Sequence, residues 1–304
     1  MTKTYYFKMA KLSIMTIVAL IILQACGSVP FTGRRQLSLV SSEQIMALSL
    51  QQYQDYMRSA PVERNSANAE MVKRVGTRIA AAVETFYKSN GYESELKNYS
   101  WEFNLVKDKS VNAFAMPGGK IVVYEGLLPV TQSEEGLAVV VGHEVAHVIA
   151  QHSSERMSQQ IALQYGGSIA GGLLGNSIGS QLGQQVFGIG AQLGVMLPYA
   201  RKQEYEADEI GLIVMALAGY NPEVAVSFWS RMAQSSSNSS NSDFLSTHPT
   251  DQKRIDRIKQ VMPRAMEFYQ GPGKVNKDTS KTIKTEASPK IDTKSSNTSE
   301  KWSF

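Results

Sequence analysis

The segment Gly142-His143-Glu144-Val145-Ala146-His147 places two imidazoles four residues apart inside an apolar run from about Ser133 to Met157. On a helix, four residues bring the chain back to within roughly 40° of its starting direction. His143 and His147 then project from one face about one turn apart, as two ligands of a single metal ion must. Glu144 lies roughly 100° round from His143, where its carboxylate reaches a water beside the metal rather than the metal itself. Zinc lowers the pKa of its water to about 7, so a carboxylate in that place serves as general base while the water attacks a carbonyl. Chance is a poor explanation, because the chain has only 4 histidines in 304 residues. Random placement gives about 0.05 pairs with this spacing, and requiring Glu after the first cuts that about twentyfold. The pattern is read as a zinc site, one ion per chain.

Zinc held for catalysis takes three protein ligands and keeps a position open for water. The stretch from Arg201 to Gly211 is the best source of the third. Glu204 and Asp208 share a helix face by the same four-residue logic. One of them can ligate zinc while the other accepts the second ring N–H of a ligand histidine, fixing its tautomer and orientation. The apolar run that follows at once, Ile210 to Leu217, argues against a merely solvated acidic face. Glu206 points to another side of that helix. His152, five residues after His147, is about 140° away on a continuous helix and is read as structural. His248 follows a Ser/Asn-rich loop over 235–243 and precedes Pro249, which biases its backbone toward an extended form. Two roles are open to it: steadying the oxyanion or covering the zinc in a resting state.

The surrounding elements must hold these residues. Ser41 and Ser42 with Glu43 and Gln44 signal a helix start, and Pro61 follows its expected end near Arg58. A second amphipathic helix is predicted over 67–88, with Met71, Val75, Ile79, Ala82 and Val83 on one side. From Ser100 the period changes to two, giving strands over 101–106, 112–116 and, after the Pro-Gly-Gly turn, 120–124. Thr131 and Glu134 form a capping-box pair for the histidine-bearing helix, whose buried side is supplied by Leu137, Val140, Val141 and Val148. The Gly-rich stretch 161–197 reads as a close-packed helical hairpin linking the two ligand-bearing helices. Gly219 ends the second of these, and Asn221-Pro222 starts the next. Thr250 and Asp251 begin a last helix bearing Arg254, which either reaches into the site or makes a surface salt bridge.

Residues 1–25 read as a lipoprotein signal peptide: Lys3, Lys8 and Lys11 precede an apolar core from Ile14 to Leu23. That core is far short of the roughly 20 residues needed to span a bilayer. Leu23-Gln24-Ala25-Cys26 resembles a bacterial lipobox, with cleavage before Cys26 and lipid on its sulfur. Cys26 is the sole cysteine, which excludes a disulfide within the chain and, once acylated, thiol catalysis. Several acyl chains on one residue anchor durably where one chain is marginal. Without the signal lysines the net charge falls from +4 to about +1, so nothing points to nucleic acid. Residues 26–40 read as an extended, lipidated tether. Residues 271–304 form a polar tail whose few apolar side chains cannot offset the cost of ordering.

Taken together, His-Glu-Val-Ala-His, then Glu204-Tyr-Glu-Ala-Asp208, then Ser-Thr-His-Pro with Arg254-Ile255 resemble metallopeptidase family 48, which includes HtpX and the CAAX prenyl protease. The segment from Asn112 to Leu128 is similar to the strand and turn before that family's zinc helix, and Pro30-Phe-Thr-Gly-Arg-Arg-Gln-Leu37 resembles the start of its soluble periplasmic lipoprotein members. The chain is expected to lack both the spanning helices of the integral-membrane members and the helical repeats of BepA-type members, leaving a LoiP-like arrangement. The resemblance implies His143, His147 and Glu204 as ligands, Glu144 as base and Asp208 as the carboxylate supporting a ligand histidine. It also implies that His248 can cap the zinc. A small sheet beside the zinc helix can merely support the core or offer an edge, Asn112, Ala113, Phe114 and Ala115, to an extended substrate peptide. The resemblance favours the second.

The expected fold is α+β and mainly helical: a zincin domain of gluzincin type over 41–270, with a small sheet beside the zinc-binding helix. The expected function is that of a zinc endopeptidase anchored through lipid on Cys26 in the outer or inner membrane, with Gly27 after the cysteine favouring the outer, and facing the periplasm. Its substrates would be unfolded or misassembled envelope proteins, and its partners the envelope assembly machinery. The competing reading is a catalytically silent, chaperone-like lipoprotein that uses the zinc domain for binding.

Overall fold

The computed structural model describes residues 26–169, 201–238, 243–248 and 252–275. The predicted signal peptide, most of the Gly-rich stretch, the loop around 239–242 and the tail from 276 onward lie outside these residues, as do Pro249, Thr250 and Asp251.

The fold is mainly helical with two small sheets. Strands β1 (Cys26–Ser28) and β2 (Arg35–Leu37) form an antiparallel hairpin. This corrects the expected extended tether: the hairpin's turn buries Val29 and Phe31, and Phe31 stacks on Phe86 with ring centroids 4.1 Å apart. Two apolar side chains that would face water on a free tether become part of the core, which offsets the entropy of ordering the segment.

Helix α1 (Ser42–Ser59) begins at Ser41, whose side chain accepts from the Gln44 amide. Helix α2 (Ala67–Ser89) begins at Ser66 in the same manner and buries Val72, Val75, Ile79, Val83 and Phe86. Both starts satisfy amide groups that a helix's first turn otherwise leaves unpaired. The larger sheet has the order β3-β4-β6-β5, built from β3 (Val62–Glu63), β4 (Glu102–Val106), β5 (Ala113–Met116) and β6 (Lys120–Tyr124). β4 runs parallel to β6, and the other neighbours are antiparallel. The two-residue β3 carries no sequence signal of its own. The β5–β6 turn needs positive φ at Gly118 and Gly119, and a Cβ on Gly119 would meet the Trp101 ring at 2.7 Å. β6 is buried along its whole length, while β5 pairs only with β6 among the described residues and so forms the sheet's edge.

After a short helix α3 (Leu128–Thr131), helix α4 (Glu134–Ile149) passes through the middle of the molecule, buried continuously from Gly136 onward. Its cap is Ser133, whose side chain accepts from the Gly136 amide. The expected Thr131–Glu134 capping pair does not form. Thr131 donates instead to the Leu128 carbonyl, and Glu134 pairs with Arg74. Nor does one helix run on to Met157. Gln151 adopts φ 53, in the left-handed region, and α5 (His152–Ile169) starts afresh in a new direction.

Helix α6 (Arg201–Leu217) packs directly on α4, followed by α7 (Val224–Asn238), the five-residue α8 (Asp243–Thr247) and α9 (Gln252–Met266). Gly219, at φ +80, ends α6, and the first residues of the expected tail fold back there, with the Gly273 amide donating to the Gly219 carbonyl at 3.0 Å. No described helix is long and apolar enough to cross a membrane.

Where α4 and α6 cross, backbone meets backbone. A Cβ on Gly142 would sit 2.9 Å from the Gly211 carbonyl oxygen, and one on Gly211 would sit 3.0 Å from the His143 amide nitrogen. Neither neighbour is a side chain that can swing away. Gly142→Ala is therefore expected to destabilise the fold by about 1–3 kcal/mol through overpacking, read as a lowered urea midpoint. An unchanged midpoint would mean that the two helices separate freely.

Candidate metal centre

The crossing sets the site. Glu204, Asp208 and Gly211 follow one another at intervals of four and three residues on α6, the spacing of a single helix face. With Gly211 pressed on Gly142, both carboxylates are carried to the histidines of α4. His143 Nε2 and His147 Nε2 are 3.0 Å apart, and the Glu204 carboxylate lies 3.3 Å from the first and 3.4 Å from the second. His248, just beyond α8, adds its Nδ1 at 3.2 Å from His143 Nε2 and 3.1 Å from Glu204 Oε2. One ligand atom from each of His143, His147, Glu204 and His248 falls within 4.8 Å of all the others, and all four residues are buried.

Asp208 stands behind this group. Its Oδ1 is 3.0 Å from His143 Nδ1, the ring nitrogen facing away from the cluster. Arg254 on α9 grips Asp208 with two hydrogen bonds, at 2.6 and 2.8 Å. The same guanidinium is 3.1 Å from Glu204, donates to the His248 carbonyl at 3.2 Å and stacks over Trp229 at 3.8 Å. Arg254 thus holds three site residues at once. Of the two placements open to it in sequence, the structure takes the buried one. Trp229 and Phe244 wall the site, with Trp229 5.5 Å from the His143 ring and Phe244 stacked on His248 at 4.6 Å.

His152, expected to face elsewhere, turns back because a new helix starts with it. Its Nδ1 meets His147 Nδ1 at 2.7 Å, and its Nε2 meets Glu206 Oε2 at 3.0 Å. Neither His152 nor Glu206 joins the ligand cluster. The edge residues Asn112, Ala113, Phe114 and Ala115 lie along and just before β5. Ala115, Pro117 and Gly118 line a cleft together with His147, Val148 and Gln151. Cys26 opens β1, outside the cluster.

Burial opposes charge on every ionisable group here. On Glu204 the charges of His248 and Arg254 overcome it, holding the carboxyl well below its usual range, and Arg254 does the same for Asp208. His143 is pushed up to about 9, because Asp208 and Glu204 outweigh its burial. On His147 burial dominates and its pKa falls well below the ordinary value. Glu144 moves up, since burial is only partly offset by His248 and His143. Two of the site's three buried carboxylates, Glu204 and Asp208, are thus favoured in their ionised form by the cation beside them.

The donor set fits zinc: imidazole nitrogens and a carboxylate oxygen converging at close range. A second observation points the same way. Both Glu144 oxygens are buried and neither makes a side-chain hydrogen bond, with His248 Nε2 3.4 Å away. Two bare carboxylate oxygens are costly unless a polar group meets them.

Residues 66–262 match the sequence profile of peptidase family M48, a span that includes every residue of this cluster. Among curated proteins, the chain is similar to the mitochondrial metalloendopeptidase OMA1 of Schizosaccharomyces pombe, at 32% identity over 173 residues, 57% of this chain and 50% of that protein. It is similar to that of Arabidopsis thaliana at 35% over 184 residues, 60% of this chain and 36% of the relative. It also resembles the beta-barrel assembly-enhancing protease of Yersinia pestis, at 27% over 252 residues, 80% of this chain and 49% of that protein. The chain spans about half the length of these relatives or less.

Arg254→Leu leaves Asp208 and Glu204 buried without their counter-charge. The expected cost is about 3–5 kcal/mol of stability, measured by urea unfolding, with part recovered in Arg254→Leu/Asp208→Asn. A loss under about 1 kcal/mol would reduce the pairing to the worth of an exposed ion pair.

Proposed function

The chain belongs to peptidase family M48, and we propose that it is a zinc-dependent metalloendopeptidase whose metal is held by His143, His147 and Glu204. The observation that carries this reading is the buried nitrogen–oxygen cluster with an unpartnered carboxylate, Glu144, at its side. Zinc bound there supplies a Lewis acid that polarises a peptide carbonyl and acidifies water. The chain's own groups do the rest. Glu144, raised in basicity by burial, takes the proton from the attacking water onto a carboxylate oxygen and returns it to the leaving amine. Asp208, held by Arg254, accepts the outward N–H of His143 and keeps Nε2 free for the ion.

The edge of β5 lies beside the same cleft as His147, which suits an extended peptide adding to the sheet by main-chain hydrogen bonds. Asn112, Ala113, Phe114 and Ala115 are the residues that would receive it. His248 brings Nδ1 among the ligand atoms, where it would take the position a catalytic zinc keeps for water. Of its two candidate roles, this geometry favours the cap.

The site of action is read from the sequence and the relatives together. The lipobox ending at Cys26 supports anchoring in a bacterial envelope, facing the periplasm. The Yersinia relative's name supports substrates and partners in beta-barrel assembly. Unfolded or misassembled envelope proteins are the proposed substrates.

The test pairs metal content with cleavage of unfolded casein. About one zinc per chain is expected, with activity abolished by a chelator and restored by zinc. Glu144→Gln should keep the zinc and lose about 10²–10⁴-fold in rate. Zinc without cleavage by the unaltered chain would favour the silent, chaperone-like reading, and absence of zinc would remove the mechanism.

His248→Ala separates the two roles of that residue. Uncapping raises the rate of casein cleavage, whereas a fall in rate with zinc retained would assign His248 to the oxyanion.

A further inference from the structure

His147 is tied to the N-terminal hairpin by an unbroken polar chain. From its Nδ1 the chain runs 2.7 Å to His152 Nδ1, then from His152 Nε2 3.0 Å to Glu206 Oε2, then 2.6 Å to Arg34 Nε. Thr32 donates to the other Glu206 oxygen. The far end of the Arg34 guanidinium forks onto Glu155, at 2.7 and 2.8 Å, and Gln203 also donates to Glu155 at 2.8 Å. The hairpin is itself fixed: Phe31 is buried against Phe86, and Arg264 donates to the Phe31 carbonyl at 3.0 Å. Arg34 therefore cannot drift from its two carboxylates without unpacking the hairpin.

The order of protons along this chain follows from chemistry. His147 must offer a bare Nε2 to a metal, so as a neutral ring it carries its proton on Nδ1. That N–H points at His152 Nδ1, which must then be the acceptor. His152 in turn carries its proton on Nε2 and donates to Glu206. Glu206 is nearly enclosed, and its ion pair with Arg34, 14% exposed, compensates the buried charge. Without the guanidinium the carboxylate gains by turning toward water, and the relay loses its acceptor.

We propose that Arg34, Glu206 and His152 are positioning residues that set the tautomer and ring orientation of His147, making the N-terminal hairpin a working part of the zinc site. His143 has a short support from within the ligand helices, Asp208. The support of His147 instead begins on a segment 113 residues earlier in sequence, between Arg34 and His147. The proposal rests on the zinc reading above, and its test separates the two.

Zinc affinity of the full chain is measured by competition with a chromophoric chelator, for the unaltered protein and for Glu206→Leu, Glu206→Gln and Arg34→Met. Glu206→Leu and Arg34→Met are expected to weaken zinc binding by about 10–100-fold. Glu206→Gln, whose amide oxygen still accepts from His152, should lose less. Long-range nitrogen–proton NMR of the unaltered zinc-loaded protein gives a readout that general loosening does not mimic. The expected spectrum has His147 protonated on Nδ1 and His152 on Nε2, with the His152 assignment lost in Glu206→Leu. Since the unaltered protein supplies that spectrum, failure of a variant to fold does not remove the test. Affinities within twofold of the unaltered chain, or His152 protonated on Nδ1 rather than Nε2, would overturn the relay while leaving the zinc reading intact, whereas His147 protonated on Nε2 in the zinc-loaded protein would overturn both. A chain that takes up no zinc would overturn both.

Discussion

Two buried helices can share a ligand set only if their backbones come closer than side chains ordinarily allow. Packed helix axes usually lie 8–10 Å apart, the distance being set by the residues at the contact. Here those residues are Gly142 and Gly211, and the Gly211 carbonyl oxygen lies only 2.9 Å from where a Cβ on Gly142 would stand. Every other property of the site depends on that approach. It brings Glu204 within 3.4 Å of both α4 histidines, lets Asp208 reach the back of His143, and leaves all of these side chains buried.

Such closeness has an electrostatic consequence. Glu204, Asp208, Glu144, Arg254 and three histidines are all buried in one volume, where uncompensated charge is costly. Compensation comes from outside the two helices. Arg254 arrives from α9, sandwiched between Asp208 and the Trp229 ring, and answers for two carboxylates at once. Glu144 is the group left over, its pKa raised because burial outweighs what His248, His143 and the Ala115 backbone do to lower it. Polar groups left unsatisfied against the local rule are expected where a chain does chemistry. The surrounding network keeps everything except the reacting position occupied.

Much of the fold is legible in local sequence because its signals are local. Ser41 caps α1 as its hydroxyl and the following Gln44 suggest, and the period-two stretches become β4 and β5, each starting one residue late, and β6 with its expected bounds. Failures occur where two local signals compete or where a contact is distant. Thr131 reads as the cap of α4, but Ser133, with extended φ and ψ, accepts from the Gly136 amide, while Thr131 bonds to the Leu128 carbonyl. Nothing in the run from Ala150 to Met157 marks Gln151 as a break, since glutamine is a good helix former. The hairpin over 26–37 reads as a tether because Phe31 gains its burial from Phe86, on a helix far along the chain.

The sequence by itself determined what one helix can encode: the spacing of His143 and His147, the place of Glu144 between them, and the shared face of Glu204 and Asp208. These relations follow from 3.6 residues per turn and hold before any tertiary contact forms. Only the folded chain decided which way His248 faces, that Arg254 is buried in the site rather than on the surface, and that His152 and Glu206 stand behind His147. Each of those placements joins residues from different elements, with no period to announce it. They arise because buried polar groups must find partners, and the partners in reach are fixed by how the helices pack.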